Sequence, residues 1–230
     1  MRLHRFFIDQ EIRDAKDVVV TDRDLLNQWK NVFRLGKEDR VILLDGSGFE
    51  FEAEFALLAR DRAELAILAV KKAANVSERN ITLYASLIKK DNFEWVLEKG
   101  TELGVAGFVP LQTERSEKKD LNIERAKRII REASEQSGRG MEPELYAVDT
   151  LADAVGNASM KLVAFDPTGA ELDRNSLRES EIGILVGPEG GWSERELAFF
   201  KEKNISVYTL GPQVLRAETA AIAISTLALL

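Results

Sequence analysis

An α/β domain built on a mostly parallel sheet, preceded by a small β-barrel, is the architecture this sequence predicts. Three observations lead there. Up to about Lys72, short segments of alternating polarity are separated by tight turns. Beyond Asn80, apolar strand-like runs alternate with stretches of helical period. Between them, AANVSERN (Ala73 to Asn80) has the composition of a linker. A barrel domain over residues 1–72 and an α/β domain over 73–230 are therefore expected, and 230 residues suffice for both cores.

In the first region, RVILLDG (Arg40 to Gly46) and FEFEAEFALLA (Phe49 to Ala59) flank Gly46-Ser47-Gly48, a hairpin turn. The alternation puts Phe49, Phe51, Ala53 and Phe55 on one face of a half-buried strand and Glu50, Glu52 and Glu54 on the other. ELAILAVKK (Glu64 to Lys72) is a further strand. RDLLNQWKNVFRL (Arg23 to Leu35) reads as one helix that buries Leu25, Leu26, Trp29 and either Val32 or Phe33. Phe6, Phe7 and Trp29 could stack on bases, but core packing is the better reading for large aromatic rings.

The second region offers strands at ITLYASL (81–87), AGFVPLQ (106–112), LYAV (145–148), KLVAF (161–165), IGILV (182–186) and ISVYTL (205–210). DNFEWVLEKGTELG (91–104) has the pattern of a helix capped by Asp91, with Glu94 three residues on. LNIERAKRIIREASEQSG (121–138) places Ile123, Ala126, Ile130 and Ala133 on one stripe and ends in glycine. SERELAFFKEK (193–203) opens with Ser193 and Glu196 at capping-box spacing. The run ETAAIAISTLALL at the carboxyl end is apolar, too short to cross a bilayer, and suited to a buried helix.

Composition excludes several chemistries. There is no cysteine, so no disulfide, thiolate nucleophile or cysteine metal site, and one histidine leaves little for a zinc centre or a catalytic triad. MRLHRFFIDQ lacks the apolar stretch of a secretory signal, so a metal-independent cytoplasmic protein with no membrane association is expected. A net charge of -7 opposes indiscriminate attraction to nucleic acid, while a local basic patch can still steer a specific RNA.

Two loops carry the chemistry. LVGPEGG (Leu185 to Gly191) leaves an apolar run for bare backbone just before a helix, and glycines there let a ligand approach the main chain. It lacks the Lys-Ser/Thr of a Walker loop and the spacing of a dinucleotide fingerprint. LGPQVLRAET (Leu210 to Thr219) repeats the theme and runs into the last helix; the two loops would face each other if their strands were neighbours. Arg216 and Glu218 stand at the mouth of that helix. They read either as an ion pair with Glu218 attracted to free amides, or as catalytic groups beside a substrate whose charge changes. Arg115, Lys118, Lys119, Arg128, Arg131 and Arg139 are expected on the surface, where they are either ordinary solvated charge or, if Arg115 and Arg139 converge, a phosphate clamp.

KKDNFEWVLEKGTELGVAGFVPLQTERS (89–116), REASEQSGR (131–139), LVGPEGGWSERE (185–196) and LGPQVLRAETA (210–220) together resemble the RsmE-type 16S ribosomal RNA uridine-N3 methyltransferases of the SPOUT superfamily. The resemblance implies a trefoil-knotted methyltransferase domain, a homodimer, and an amino-terminal PUA-like or OB-like barrel that helps bind RNA. It implies S-adenosyl-L-methionine as cofactor, cradled by Leu185, Gly187, Pro188, Glu189, Gly190 and Gly191, by Leu210, Gly211 and Pro212, and by Val214, Leu215 and Arg216. Phe165 is a further wall. Glu218 becomes the candidate base for the N3 proton and Arg216 the stabiliser of developing charge. Arg5, Arg115 and Arg139 become candidate contacts to 16S RNA or the small ribosomal subunit. The helix near residue 30 departs from the family pattern: Asn27, Gln28, Trp29 and Lys30 precede VFRL where a paired histidine is usual.

Overall fold

The computed structural model describes residues 3–73 and 79–230; within the expected linker, residues 74–78 lie outside the described residues. The chain forms two compact units. One comprises Met1–Val76 with Ser134–Glu142, the other Ser77–Ala133 with Pro143–Leu230.

The first unit contains β1 (Arg5–Phe7), β2 (Asp17–Val20), α1 (Arg23–Asn27), β3 (Arg40–Leu44), β4 (Phe49–Leu58) and β5 (Ala63–Lys72). Its sheet runs β1-β3-β4-β5-β2, with β1 parallel to β3 and the remaining pairs antiparallel. The path has β1 and β2 at its ends, so an open half-barrel stands where a barrel was expected. Two register shifts between β4 and β5 bend the long hairpin over its core. Phe51, Ala53 and Phe55 point into that core with Phe6, Leu43 and Trp29, as the alternation predicts.

Two neighbours depart from the alternation. Phe49 is 43% exposed, and Glu50, expected on the solvent face, is only 3% exposed. A buried carboxylate needs cations beside it. Lys71 lies opposite Glu50 in register and approaches to 3.0 Å, and Arg5 Nε donates to Oε1 at 2.9 Å. Burial alone would raise the Glu50 carboxyl, but these two cations outweigh it and hold the group below its ordinary range.

The predicted helix over 23–35 stops being α-helical at Asn27 and continues as a π-helical turn, Gln28–Val32. The wider turn changes which side chains face inward. Leu26 and Trp29 are buried, Val32 is turned out at 66% exposure, and Phe33 packs on the core in its place. Phe6 and Trp29 meet edge to face, with ring centroids 5.7 Å apart, and Phe7 is buried too. These rings are core rather than a base-stacking surface.

Residues 134–142 complete the first unit. The Glu135 carboxylate accepts from the Phe7 amide at 2.9 Å, and the Gly140 carbonyl accepts from the Gly48 amide at 3.2 Å. Gly140 has no room for a side chain, since a Cβ there would lie 2.6 Å from Cβ of Ala73.

The second unit contains β6 (Asn80–Ser86), α2 (Lys90–Leu103), β7 (Gly107–Gln112), α3 (Ile123–Ser137, whose end belongs to the first unit), β8 (Glu144–Leu145), β9 (Asp149–Thr150) and α4 (Leu151–Asn157). There follow β10 (Lys161–Glu171), β11 (Glu181–Val186), α5 (Glu194–Glu202), β12 (Ser206–Thr209) and α6 (Ala217–Leu229). The sheet order is β12-β10-β11-β6-β7-β8, with β9 also on β7, and every pairing is parallel. Its two faces carry separate cores, one under α2 and α6 and the other with Trp192, Phe200 and Leu151.

Local predictions meet three corrections here. Of the strand expected at 145–148 only Leu145 is in one, β8, and β9 follows beyond it; between them Tyr146 packs over Gly107 and its hydroxyl donates to Glu144 at 2.7 Å. Helix α2 starts at Lys90 with Lys89 in the cap position and no side-chain cap. Asp91 sits inside the first turn, and Glu94 is turned to Arg125, whose Nη2 donates to it at 2.7 Å. Ile123 is only half-buried, while Ala126, Ile130 and Ala133 are buried as expected. Among the described residues, no helix is long and apolar enough to cross a membrane.

Candidate functional site

The middle of β10 and the ends of β11 and β12 define the candidate site. The order β12-β10-β11 puts β10 between the two strands that carry the glycine-proline loops, so these strands are not direct neighbours as the facing-wall argument required. The middle of β10, where its pairing with β12 shifts register after Phe165, fills the gap. Phe165 pairs with Val186 of β11 on one side and with Tyr208 of β12 on the other. The carboxyl ends of β11 and β12 thus flank β10 at Phe165, on the ligand side of an open parallel sheet.

The loop after β11 is shaped by its own indole. Trp192 is buried and its Nε1 donates to the Phe165 carbonyl at 2.9 Å. Its ring lies against Gly187, where a Cβ would come within 3.2 Å. Pro188 accepts from the Gly191 amide at 2.9 Å, and Gly191 has φ of 66°, a left-handed turn that favours glycine. Leu185 and Pro188 are buried, whereas Glu189 and Gly190 are exposed at the loop's crest. At the far end, Ser193 and Glu196 form the predicted capping box of α5.

The loop after β12 turns at Gly211, with φ of 127°, and Thr209 Oγ1 accepts from the Gly211 amide at 3.3 Å. From there Pro212 to Arg216 are exposed, including Val214 at 82% and Leu215 at 37%. Val214 and Leu215 thus leave an uncovered apolar surface beside this loop.

Arg216 and Glu218 do not form the ion pair considered from sequence. Arg216 is exposed and occupies the cap of α6 without a side-chain cap bond. Glu218 is 3% exposed in the first turn, and its Oε2 has no hydrogen-bond partner. A carboxylate buried at a helix amino terminus is favoured by the amide dipoles.

The three arginines expected to hold phosphates are placed differently from one another. Arg139 belongs to the first unit and is 9% exposed, not on the surface as expected; burial pushes its guanidinium down to about 10. Its neighbour Gly140 is packed on Gly48 and Ala73, which draws this stretch inward. Arg5 is occupied by Glu50. Arg115 is exposed, yet its Nη1 donates to the carbonyls of Gly190 at 2.7 Å and Trp192 at 3.1 Å. Sequence reasoning missed Trp192 as a shaper of the loop and Glu196 as more than a cap. Both stand in the quoted 185–196 motif.

Comparison with known proteins agrees with this geometry. The RNA methyltransferase domain family matches residues 75–229, and the RNA methyltransferase PUA domain family matches residues 30–68. The ribosomal RNA small subunit methyltransferase E of Rickettsia conorii is 30% identical over 228 residues, covering 96% of this chain and 93% of its own. The chain belongs to the ribosomal RNA small subunit methyltransferase E family. The Bacillus subtilis member is 27% identical across 95% of this chain and 93% of its own. Among solved structures, a ribosomal RNA small subunit methyltransferase E from Neisseria gonorrhoeae, bound to S-adenosyl methionine, superposes with a TM-score of 0.88 at 28% identity, covering 97% of this chain and 95% of that one. A putative methyltransferase from Legionella pneumophila with the same cofactor gives 0.91 at 27%, covering 99% and 97%. In this methyltransferase E chain the half-barrel and the parallel sheet accordingly correspond to the PUA-like and SPOUT parts of the family.

Proposed function

We propose that the protein methylates N3 of one uridine in 16S ribosomal RNA, with S-adenosyl-L-methionine as donor, on the small ribosomal subunit in the cytoplasm. The observation that carries the reading is that the bare, left-handed backbone at Gly191 and at Gly211 leaves the two strands that flank β10, the second loop continuing through the uncovered Val214 and Leu215 to Glu218, whose buried Oε2 has no hydrogen-bond partner. Main-chain groups of the 187–191 and 210–212 stretches fit the polar parts of the cofactor, and Val214 and Leu215 fit its apolar faces. When bound, the cofactor supplies an electrophilic methyl group on a sulfonium.

The chain's own residues do the rest. Uridine N3 holds a proton with an imide pKa about two units above neutrality, so the nitrogen needs help to become a nucleophile. Glu218 accepts that proton, and Arg216 offers positive charge to O2 or O4 as the anion forms. The fixed loops hold nitrogen and methyl in line, a contribution of positioning rather than of new bonds. Because N3 lies on the pairing edge, the uridine must leave its stack first. Arg5, Arg115 and Arg139 remain the proposed RNA set, with Arg115 the one whose residue is exposed.

The wider assembly follows from the same reading. Trp95 on α2 and Leu227 on α6 are 47% and 41% exposed on packed helices, which supports a homodimer through that face. The order β12-β10-β11 and the return of α6 onto β6 and β11 support a threaded carboxyl end of trefoil type. In this reading the first unit, including residues 134–142, guides RNA and the second transfers the methyl group. Reaction of the protein with labelled cofactor and small subunits, followed by nucleoside analysis, tests the reading: 3-methyluridine is the expected product, and a 2'-O-methylated nucleoside or no incorporation overturns it.

A further inference from the structure

The turn at residues 113–116 is tied to the loop after β11 by two separate links. On one side, Arg115 Nη1 donates to the carbonyls of Gly190 and Trp192, and the aliphatic part of its side chain lies across Gly190, where a Cβ would sit 3.4 Å from Cβ and Cδ of Arg115. On the other, Glu196 spends its two oxygens on two amides. Oε2 accepts from Ser193 at 2.8 Å as part of the capping box, and Oε1 accepts from Glu114 at 3.0 Å. The turn itself is stiffened, since Thr113 Oγ1 and Ser116 Oγ lie 2.7 Å apart and the Ser116 amide donates to the Thr113 carbonyl at 3.2 Å.

A helix cap needs only the first of Glu196's bonds, and a phosphate ligand needs no carbonyl partners. The second Glu196 bond and the two Arg115 bonds therefore serve something other than helix start or RNA. What they have in common is the crest of the loop, Gly190 to Ser193, whose glycines would otherwise leave it free to move.

We infer that Arg115 and Glu196 are positioning residues which strap the 187–193 loop in its ligand-accepting shape before any RNA arrives. The inference rests on the reading of that loop as the cofactor site. The strap lowers the ordering cost of cofactor binding, because a preformed loop loses less freedom on binding than a mobile one. Lysine is a poor replacement here: it keeps the charge for a phosphate, but both carbonyl bonds leave Nη1, an atom one bond further along the side chain than a lysine ammonium reaches, and the planar guanidinium is lost.

The test uses the full-length protein, S-adenosyl-L-methionine without RNA, and a 16S RNA fragment without cofactor, each titrated calorimetrically into wild type, Arg115→Ala, Arg115→Lys, Glu196→Ala and the double variant. Expected are a dissociation constant for cofactor raised about tenfold in Arg115→Ala and Arg115→Lys alike, RNA affinity retained in Arg115→Lys, and less than additive losses in the Arg115→Ala/Glu196→Ala protein. Faster hydrogen exchange at the Gly191 amide in Arg115→Lys would mark the loosened loop, a change that general destabilisation does not confine to one turn. Unchanged cofactor affinity in Arg115→Lys, with wild type binding normally, overturns the strap while leaving the methyltransferase reading intact. A wild-type protein that binds no cofactor sinks both.

Discussion

Two buried acids show how differently one residue type can be used. Glu50 is fully employed, between Arg5 and Lys71, whereas Glu218 keeps an oxygen unpaired at the start of α6. Exchange of Glu218 for glutamine keeps shape and removes the proposed base. A drop of roughly 100-fold in single-turnover methyl transfer at saturating ligands is expected, with cofactor affinity retained. A wild-type rate would remove Glu218 from the chemistry.

For Glu50 the readout is stability against pH. Its folded carboxyl lies below the ordinary value of 4.5, so its stabilising contribution is complete above that value and is lost as pH falls through the lower folded value. Glu50→Gln should cost about 2 kcal/mol at neutral pH and flatten the acid side of a urea-midpoint profile. An equally steep acid limb in the variant would show that other carboxylates govern it. Alternation alone sends Glu50 outward with Glu52 and Glu54, because a period of two carries no information about Lys71 across the hairpin. Arg139 was illegible for the same reason: its burial is set by packing around Gly140, remote in sequence from the Gly48 and Ala73 it meets.

At the scale of elements the sequence is more informative. Strands β6, β7, β11 and β12 and the capping box of α5 follow from local pattern, since each depends on residues within a few positions. The π-helical turn at Gln28–Val32 does not, as it needs the core to reward Trp29 and Phe33 together. Nor does strand order, which decided that Phe165 separates the two loops. Here β10 is the sensitive member. A Cβ on Gly169 would lie 2.5 Å from the Tyr208 carbonyl carbon, so β12 must shift to admit it. Gly169→Ala should cost about 1–3 kcal/mol and weaken cofactor binding through the 210–216 loop. Gly156→Ala in α4, with nothing within 4 Å of its Cβ, is the control and should stabilise by roughly 0.5 kcal/mol. Equal melting temperatures and cofactor affinities for the two variants would contradict this packing argument.

For the molecule as a whole, charge and assembly set the terms of RNA recognition. A chain of net charge -7 gains little from general attraction to phosphate, so shape must supply much of the selectivity. Binding to assembled small subunits is accordingly expected to be at least about tenfold tighter than to a naked 16S fragment at the same ionic strength. A filter-binding comparison checks this, and equal affinities would place recognition in the RNA sequence alone.

The return of residues 134–142 to the first unit has a temporal meaning during synthesis. A nascent chain released only as far as residue 72 lacks the Glu135 carboxylate that engages the Phe7 amide and the Gly140 carbonyl that engages Gly48. Completion of the first unit therefore waits until residues 134–142 have emerged, while the second unit waits for the chain up to Leu230.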